Sequence, residues 1–418
     1  MTDQALAPPA EQPAAPEKAP SAQKAHWWDP LVIPFLAVFT ALVIGALVII
    51  FSNPDVLTSW KGFFRHPVET LRLSLQTVWD TYYALFTGAF GNPKEIFSAL
   101  FSGDWEELRI ALRPLSETIT AATPLIFAGL CVAIPFRAGL FNIGGEGQIT
   151  VGALLAVMVG FSFTSLPGPL LIVAIVVAGF IGGAVWGAIP GALKAKTGAH
   201  EVIVTIMLNW IGTFLALYAL SLQFFRPAER ADPISKPVGV AFPHLIGSDL
   251  RVHAGILVAI AIAAAVSYLM NRTTVGFEYR AVGANPDAAR AAGMSPGRTY
   301  VSVMALAGGI GGLAGANLLL STSPSVTPGY SSGFGFDGIA LALLGRANPW
   351  GVVASAFLFG ALRAGSRTMQ AVTQTPVDIV VVIQALVIMF VAAPQMVRGI
   401  YRIKPRRSEG LELVTRGL

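Results

Sequence analysis

Apolar runs of about twenty residues recur along this chain, separated by short segments where charge, glycine and proline gather. A helix rises about 1.5 Å per residue, so runs of that length suit a hydrocarbon layer about 30 Å thick. Ten spans are predicted, near 31–51, 115–136, 142–163, 168–193, 201–222, 254–270, 299–321, 334–346, 350–366 and 378–397. The eighth is too short to cross unless its Gly-rich approach, 329–335, also enters the membrane. The expected fold class is an all-α polytopic membrane protein with about ten transmembrane helices.

Composition agrees. Of 418 residues, 54% are hydrophobic and only 12% charged, with a mean hydropathy of +0.65. Soluble chains carry about a quarter charged residues. The net charge of +5 fits basic cytoplasmic loops better than nucleic acid, because no basic patch interleaves with aromatics. The single cysteine, Cys131, lies inside an apolar run, which excludes a disulfide framework. The five histidines (His26, His66, His200, His244, His253) are scattered without metal-ligand spacing, and no cofactor motif stands out.

Residues 1–26 are Pro- and Ala-rich and read as a disordered cytoplasmic N-terminus without signal-peptide architecture; Trp27 and Trp28 follow as an interfacial anchor. Residues 27–400 form the transmembrane domain and 401–418 a cytoplasmic tail. Short loops rich in Lys and Arg stay inside. Arg137, Lys194, Lys196, the loop 271–298 and the tail from Arg398 to Arg407 therefore set both termini in the cytoplasm. Arg363 and Arg367 fall outside and run against that rule. Two outside segments result: 52–113, read as amphipathic surface helices, and 223–253, polar and proline-punctuated. A further span over 71–90 is disfavoured by Arg72 and Asp80.

The sequence echoes itself. GEGQITVGALL (145–155) resembles GFDGIALALLG (335–345), and the spans that follow end in GALK (191–194) and GALR (360–363). On the predicted topology the copies enter from opposite sides, an inverted internal repeat with broken Gly-rich helices.

Enzymatic chemistry finds little support. GGIGGLA (308–314) contains a dinucleotide-type glycine string, but it lies in an apolar span, where close helix packing explains it. The pairs Gly308/Gly312 and Gly311/Gly315 and the series Gly183/Gly187/Gly191 point the same way. GALKAKT (191–197) has Pro190 and Ala195 where a phosphate loop needs glycine. Any ATP must be bound by another chain.

Three stretches carry polarity at membrane depth: Asn142, Glu146 and Gln148 in FNIGGEGQ; Asn209 in the fifth span; and Asp337 between Phe334 and Phe336 in GFGFDG. Such groups are costly in lipid and face a cavity or a partner. Two readings stand: satisfied helix caps, or a translocation path in which the phenylalanines stack a flat solute. Elsewhere, residues 285–293 describe a short bounded helix. Asn285 suits the N-cap, Pro286 the first position and Gly293 the left-handed end, with Ala288, Ala289 and Arg290 between.

FRAGLFNIGGEGQ, HEVIVTIMLNW, GANPDAARAAGM and GFDGIALALLG together resemble the permease subunits of bacterial ABC importers. The nearest group is the branched type for simple sugars and nucleosides, especially nucleoside importers served by a basic membrane lipoprotein. The resemblance covers roughly 115–400. It implies a cytoplasmic ABC ATPase with two fused nucleotide-binding halves, a second and non-identical permease, and an external solute-binding lipoprotein or periplasmic protein. It also implies that 285–293 is the coupling helix that docks on the ATPase. FNIGGEGQ leans toward the nucleoside branch. The alternative is a stand-alone ion-coupled secondary transporter of a small polar solute, using Glu146 and Asp337 as its coupling carboxylates.

Overall fold

The computed structural model describes residues 29–402 except 248; the expected disordered N-terminus, Trp27, Trp28 and most of the basic tail lie outside the described residues. Sixteen helices are found among the described residues. Seven are long and apolar enough to cross a membrane: α1 (Asp29–Ser52), α5 (Trp105–Arg137), α6 (Gly145–Ser162), α7 (Gly168–Thr197), α8 (Glu201–Ser221), α9 (Gly255–Arg272) and α12 (Pro296–Ser321). An eighth is the pair α15 (Asp378–Ala392) and α16 (Pro394–Ile400), bent by 92°. Pro394 lacks the N–H that would continue the ladder, which is why the expected straight tenth span breaks there. Together with α13 (Phe334–Leu344) and α14 (Pro349–Thr373), these are the ten predicted elements.

Glycine sets the centre of the body. On α7, Gly183 and Gly187 face α12, where a Cβ on Gly183 would overlap the Gly308 carbonyl oxygen and one on Gly187 that of Met304. Conversely, a Cβ on Gly312 would overlap the carbonyl oxygen of Gly179. The neighbouring stripe, Gly311 and Gly315, receives Cys131, Gln148 and the backbone of Ile149. Without a hydrophobic drive between helices in lipid, such close approach supplies the packing energy.

The internal echo reappears in the packing. Helix α5 lies against α13 and α14, and α12 lies against α6 and α7, so each half lends its first helix to the other half's broken pair.

Contacts sort the helix ends into two groups. At one end Arg137 donates to Asn271 (3.1 Å) and Lys194 pairs with Glu201 (2.6 Å). At the other, Glu117 meets Arg251 (3.2 Å) and Arg367 (3.9 Å). The basic loops expected to share a side thus share an end.

Two expectations change. Segment 52–113 is helical, with α2 (Pro54–Lys61), α3 (Pro67–Phe90) and α4 (Pro93–Ser102), but α3 is no loose surface helix. Small residues Thr81, Ala84, Gly88 and Ala89 bury against the body, and Gly88 and Gly365 let α3 touch α14 backbone to backbone. The ninth span runs to Thr373 rather than 366, which puts Arg363 well inside α14.

Candidate translocation site

Helices α6 and α13 both begin inside the protein, head to head. A Cβ on Gly145 would lie 3.0 Å from the Gly335 Cα, and one on Gly335 would overlap the Glu146 amide. Only glycines permit two helix starts to meet so closely. At 11 residues, α13 extends about 16 Å, a half-span by length. Each start carries an acid in its first turn, Glu146 or Asp337, where the helix dipole favours negative charge.

The first polar stretch is a structural knot. Asn142 donates to the Cys131 carbonyl (3.2 Å) and to Gln148 Oε1 (2.9 Å), and its own Oδ1 accepts from Gln148 Nε2 (3.2 Å) and the Gly144 amide (3.0 Å). Asn209 on α8 accepts from the Gly147 amide (2.9 Å) and donates to the Ile143 carbonyl (2.8 Å). All three side chains are buried, and they satisfy the backbone groups freed where the helix is interrupted. They do not line the cavity described next; for these residues the structure favours the cap reading.

A polar cavity of about 460 Å³ opens at the Glu117 end of the body. Its walls are Glu117, Thr120, Ala121 and Pro124 of α5, Arg251, the end of α12, and Arg363, Ala364 and Arg367 of α14. Its floor is the segment 322–334, including Thr327, Gly329, Tyr330, Ser332 and Phe334. Gly329 (φ 71°), Ser332 (φ 46°) and Gly333 (φ 80°) turn this floor through the left-handed region, where a serine is strained.

Arg363 organises the inner wall. It donates to Asp337 of α13 in an ion pair, and its guanidinium lies over the Phe334 ring at 4.3 Å. Asp337 is therefore not itself on the wall; it holds the residue that is. Phe334 lines the cavity with its ring under the Arg363 guanidinium, and Phe336 is not among the lining residues and is exposed. Glu146 sits beneath the floor, facing Ser331 and the backbone of Gly333 and Gly335, with Oε2 unbonded. Sequence reasoning missed Glu117, Arg251, Tyr330, Arg363 and Arg367 as cavity-lining residues. A charge near a predicted span end, as at Glu117 or Arg363, was the available signal.

At the opposite end, α10 (Thr274–Ala284) leads into α11 (Pro286–Ala291). Asn285 accepts from the amides of Asp287 and Ala288, both at 3.0 Å, a cap whose removal costs about 1 kcal/mol. Gly293 ends the turn at φ 85°. Asn285, Pro286, Ala288, Arg290 and Gly293 are exposed, with Arg290 bonded to Asp287 at 3.2 Å. Ala289 is buried against the protein's own helices and cannot present itself to a partner.

Residues 115–392 match the family described as branched-chain amino acid transport system / permease component. The chain belongs to this family. Similar proteins include the guanosine ABC transporter permease protein NupP of Bacillus subtilis, 36% identical over 88% of this chain and 94% of that protein. The glucose ABC transporter permease protein TsgB13 of Haloferax volcanii is 31% identical over 90% of each chain. The nucleoside ABC transporter permease protein NupB of Lactococcus lactis is 32% identical over 79% of this chain and 88% of that protein. No solved structure matches. The protein is a multi-pass permease subunit of the ABC type, not an enzyme.

Proposed function

We propose that this permease forms the path for a nucleoside or simple sugar in an ATP-driven importer of a bacterial plasma membrane. The observation that carries the reading is the cavity lined by Glu117, Arg251, Arg363 and Arg367 in a body that also holds two head-to-head broken helices, a geometry used where a polar solute must cross mid-membrane. The likeness to guanosine, nucleoside and glucose permeases supports the solute class. Partners follow: a cytoplasmic ABC ATPase with two fused halves, a second and non-identical permease, and an external solute-binding lipoprotein or periplasmic protein. Relatives that occur in pairs within one organism, NupP with NupQ and NupB with NupC, support the second permease. In membrane vesicles holding the whole importer, uptake of labelled guanosine or glucose is expected to require ATP and survive a protonophore. Uptake of both solutes that ignores ATP and collapses with the proton gradient would establish the ion-coupled alternative.

Helix α11 is the coupling element, on the cytoplasmic side with both termini. Its exposed face is small, apart from Asp287 and Arg290, and suits close docking. In a Cys131→Ala background, a cysteine at Ala288 is expected to react with an impermeant thiol reagent in inverted vesicles but not in intact cells. Bound ATPase should block that reaction. A cysteine at the buried Ala289 should stay unreactive in both settings. Labelling of position 288 from outside would reverse the orientation, and labelling unaffected by the ATPase would remove α11 from the interface.

A further inference from the structure

Three arginines gather where α5, α9 and α10 meet at the basic end of the body. Arg137 is the last residue of α5 and Arg272 the last of α9, two helices long and apolar enough to cross a membrane. Arg280 lies in the middle of α10. Glycine brings these elements together: a Cβ on Gly283 would lie 2.6 Å from the Ala138 backbone. Arg280 stands one turn before Gly283, and Arg137 directly precedes Ala138. Arg137 also donates to Asn271, the neighbour of Arg272, at 3.1 Å.

These charges are left open. Among the described residues none of the three arginines is paired with a carboxylate. Glu278, two residues from Arg280, accepts instead from Thr299 at 3.0 Å. Arg280 Nη1 is buried without a hydrogen-bond partner, and the Arg280 charge acts directly on Arg137. The helix dipole accounts for an arginine in the last turn of α5 or α9, but not for one in mid-helix. Guanidiniums gathered in this way repel unless an anion joins them, and their planar forks match phosphate oxygens.

The surface beside the cluster is apolar. Leu257, Ala261, Ala264, Tyr268 and Arg272 form one exposed face along α9. Tyr268 takes the interfacial place of an aromatic anchor, and Arg272 lies one turn beyond it, at headgroup depth. On α10, Val275 and Phe277 are exposed as well, with Phe277 one turn before Arg280. A short helix with an apolar exposed face and a basic neighbour suits the membrane interface.

We infer that Arg137, Arg272 and Arg280 hold the phosphate of an anionic phospholipid whose chains run along the Leu257–Tyr268 face of α9. Charge complementarity names the headgroup, and the exposed stripe that ends at Arg272 names a lipid rather than a soluble partner. On the orientation proposed above, this lipid belongs to the cytoplasmic leaflet. Only Asn285 separates α10 from α11, so the lipid also steadies the seat of that short helix. The site lies apart from the cavity and does not rest on the solute reading.

The purified importer, both permeases with the ATPase, is titrated in detergent with phosphatidylglycerol or phosphatidylcholine, and bound lipid is counted by native mass spectrometry. The wild type is expected to reach half-occupancy at a concentration about tenfold or more lower with phosphatidylglycerol. Arg137→Gln with Arg280→Gln should erase that preference. Arg272→Gln, a change at an exposed residue that spares the fold, should reduce it severalfold. Arg65→Gln, at an exposed arginine outside the cluster, should leave it unchanged. No preference in the wild type, or an undiminished one in both cluster variants, overturns the inference. Displacement of phosphatidylglycerol by an equal concentration of glycerol 3-phosphate would make the ligand a soluble phosphate and overturn the lipid assignment. Loss of the ATPase from the cluster variants with lipid preference intact would assign the arginines to that interface and overturn it too.

Discussion

Asp337→Asn is expected to lower solute uptake per assembled complex by about tenfold or more. The effect is exerted through Arg363. Asp337 holds that guanidinium against the Phe334 ring on the inner wall of the cavity, with both charged side chains about a quarter exposed. Removing the carboxylate leaves an uncompensated cation. Fully buried pairs lose roughly 3–5 kcal/mol when one partner goes, so a partly open one should lose about 1–3. Part of that loss appears as lower abundance, because the freed Arg363 seeks water through the cavity. The double variant Asp337→Asn with Arg363→Gln carries no unpaired charge, so abundance should return toward wild type. Uptake should not return, since the wall then lacks its cation. Quantifying importer by immunoblot beside uptake separates fold from transport. Normal uptake per complex in Asp337→Asn would remove Arg363 positioning from the mechanism. Recovery of uptake in the double variant would make the pair purely structural.

What the sequence revealed and what it hid divide by distance along the chain. Span lengths and the Gly183/Gly187 and Gly308/Gly312 stripes were legible because packing in lipid selects small residues at helical spacing. The caps of α11 were legible because capping is settled within four residues, as the two amide bonds to Asn285 show. The Asp337–Arg363 pair joins positions 26 residues apart on different helices, and no local pattern states it. Without that partner Arg363 counted in the sequence only as a basic residue on the wrong side, whereas a paired arginine is tolerated at depth. Similarly, 71–90 was kept at the surface because the charges of Arg72 and Asp80 are costly in a span; its buried stripe of Thr81, Ala84, Gly88 and Ala89 becomes meaningful only beside Gly365. Asn142, Gln148 and Asn209 were singled out correctly as unusual, yet polarity alone cannot separate a cap from a cavity wall. Their hydrogen bonds do. Gln148→Leu is therefore a change to the knot that stabilises the start of α6 rather than to the wall.

The largest loss of folded protein is expected from Gly312→Val. Gly312 meets α7 where a Cβ would overlap the Gly179 carbonyl oxygen and approach the Gly183 Cα at 3.1 Å. Both obstacles are main chain, so no rotamer change relieves them; the helices must separate. Overpacking typically costs about 1–3 kcal/mol where side chains can yield, and more where only backbone can. Separation also strips contacts from Gly308, Gly183 and Gly187 along the same seam, so the cost is not confined to one residue. We expect detergent-extracted monodisperse permease to fall about tenfold or more, with Gly312→Ala intermediate. Gly399→Ala is the control: it lies in α16 with nothing within 4 Å of an added Cβ, so its yield should match wild type. The comparison is read by size-exclusion chromatography of a fluorescent fusion at equal expression time. A Gly312→Val yield near that of Gly399→Ala would mean that α7 and α12 are held by something other than their glycine seam.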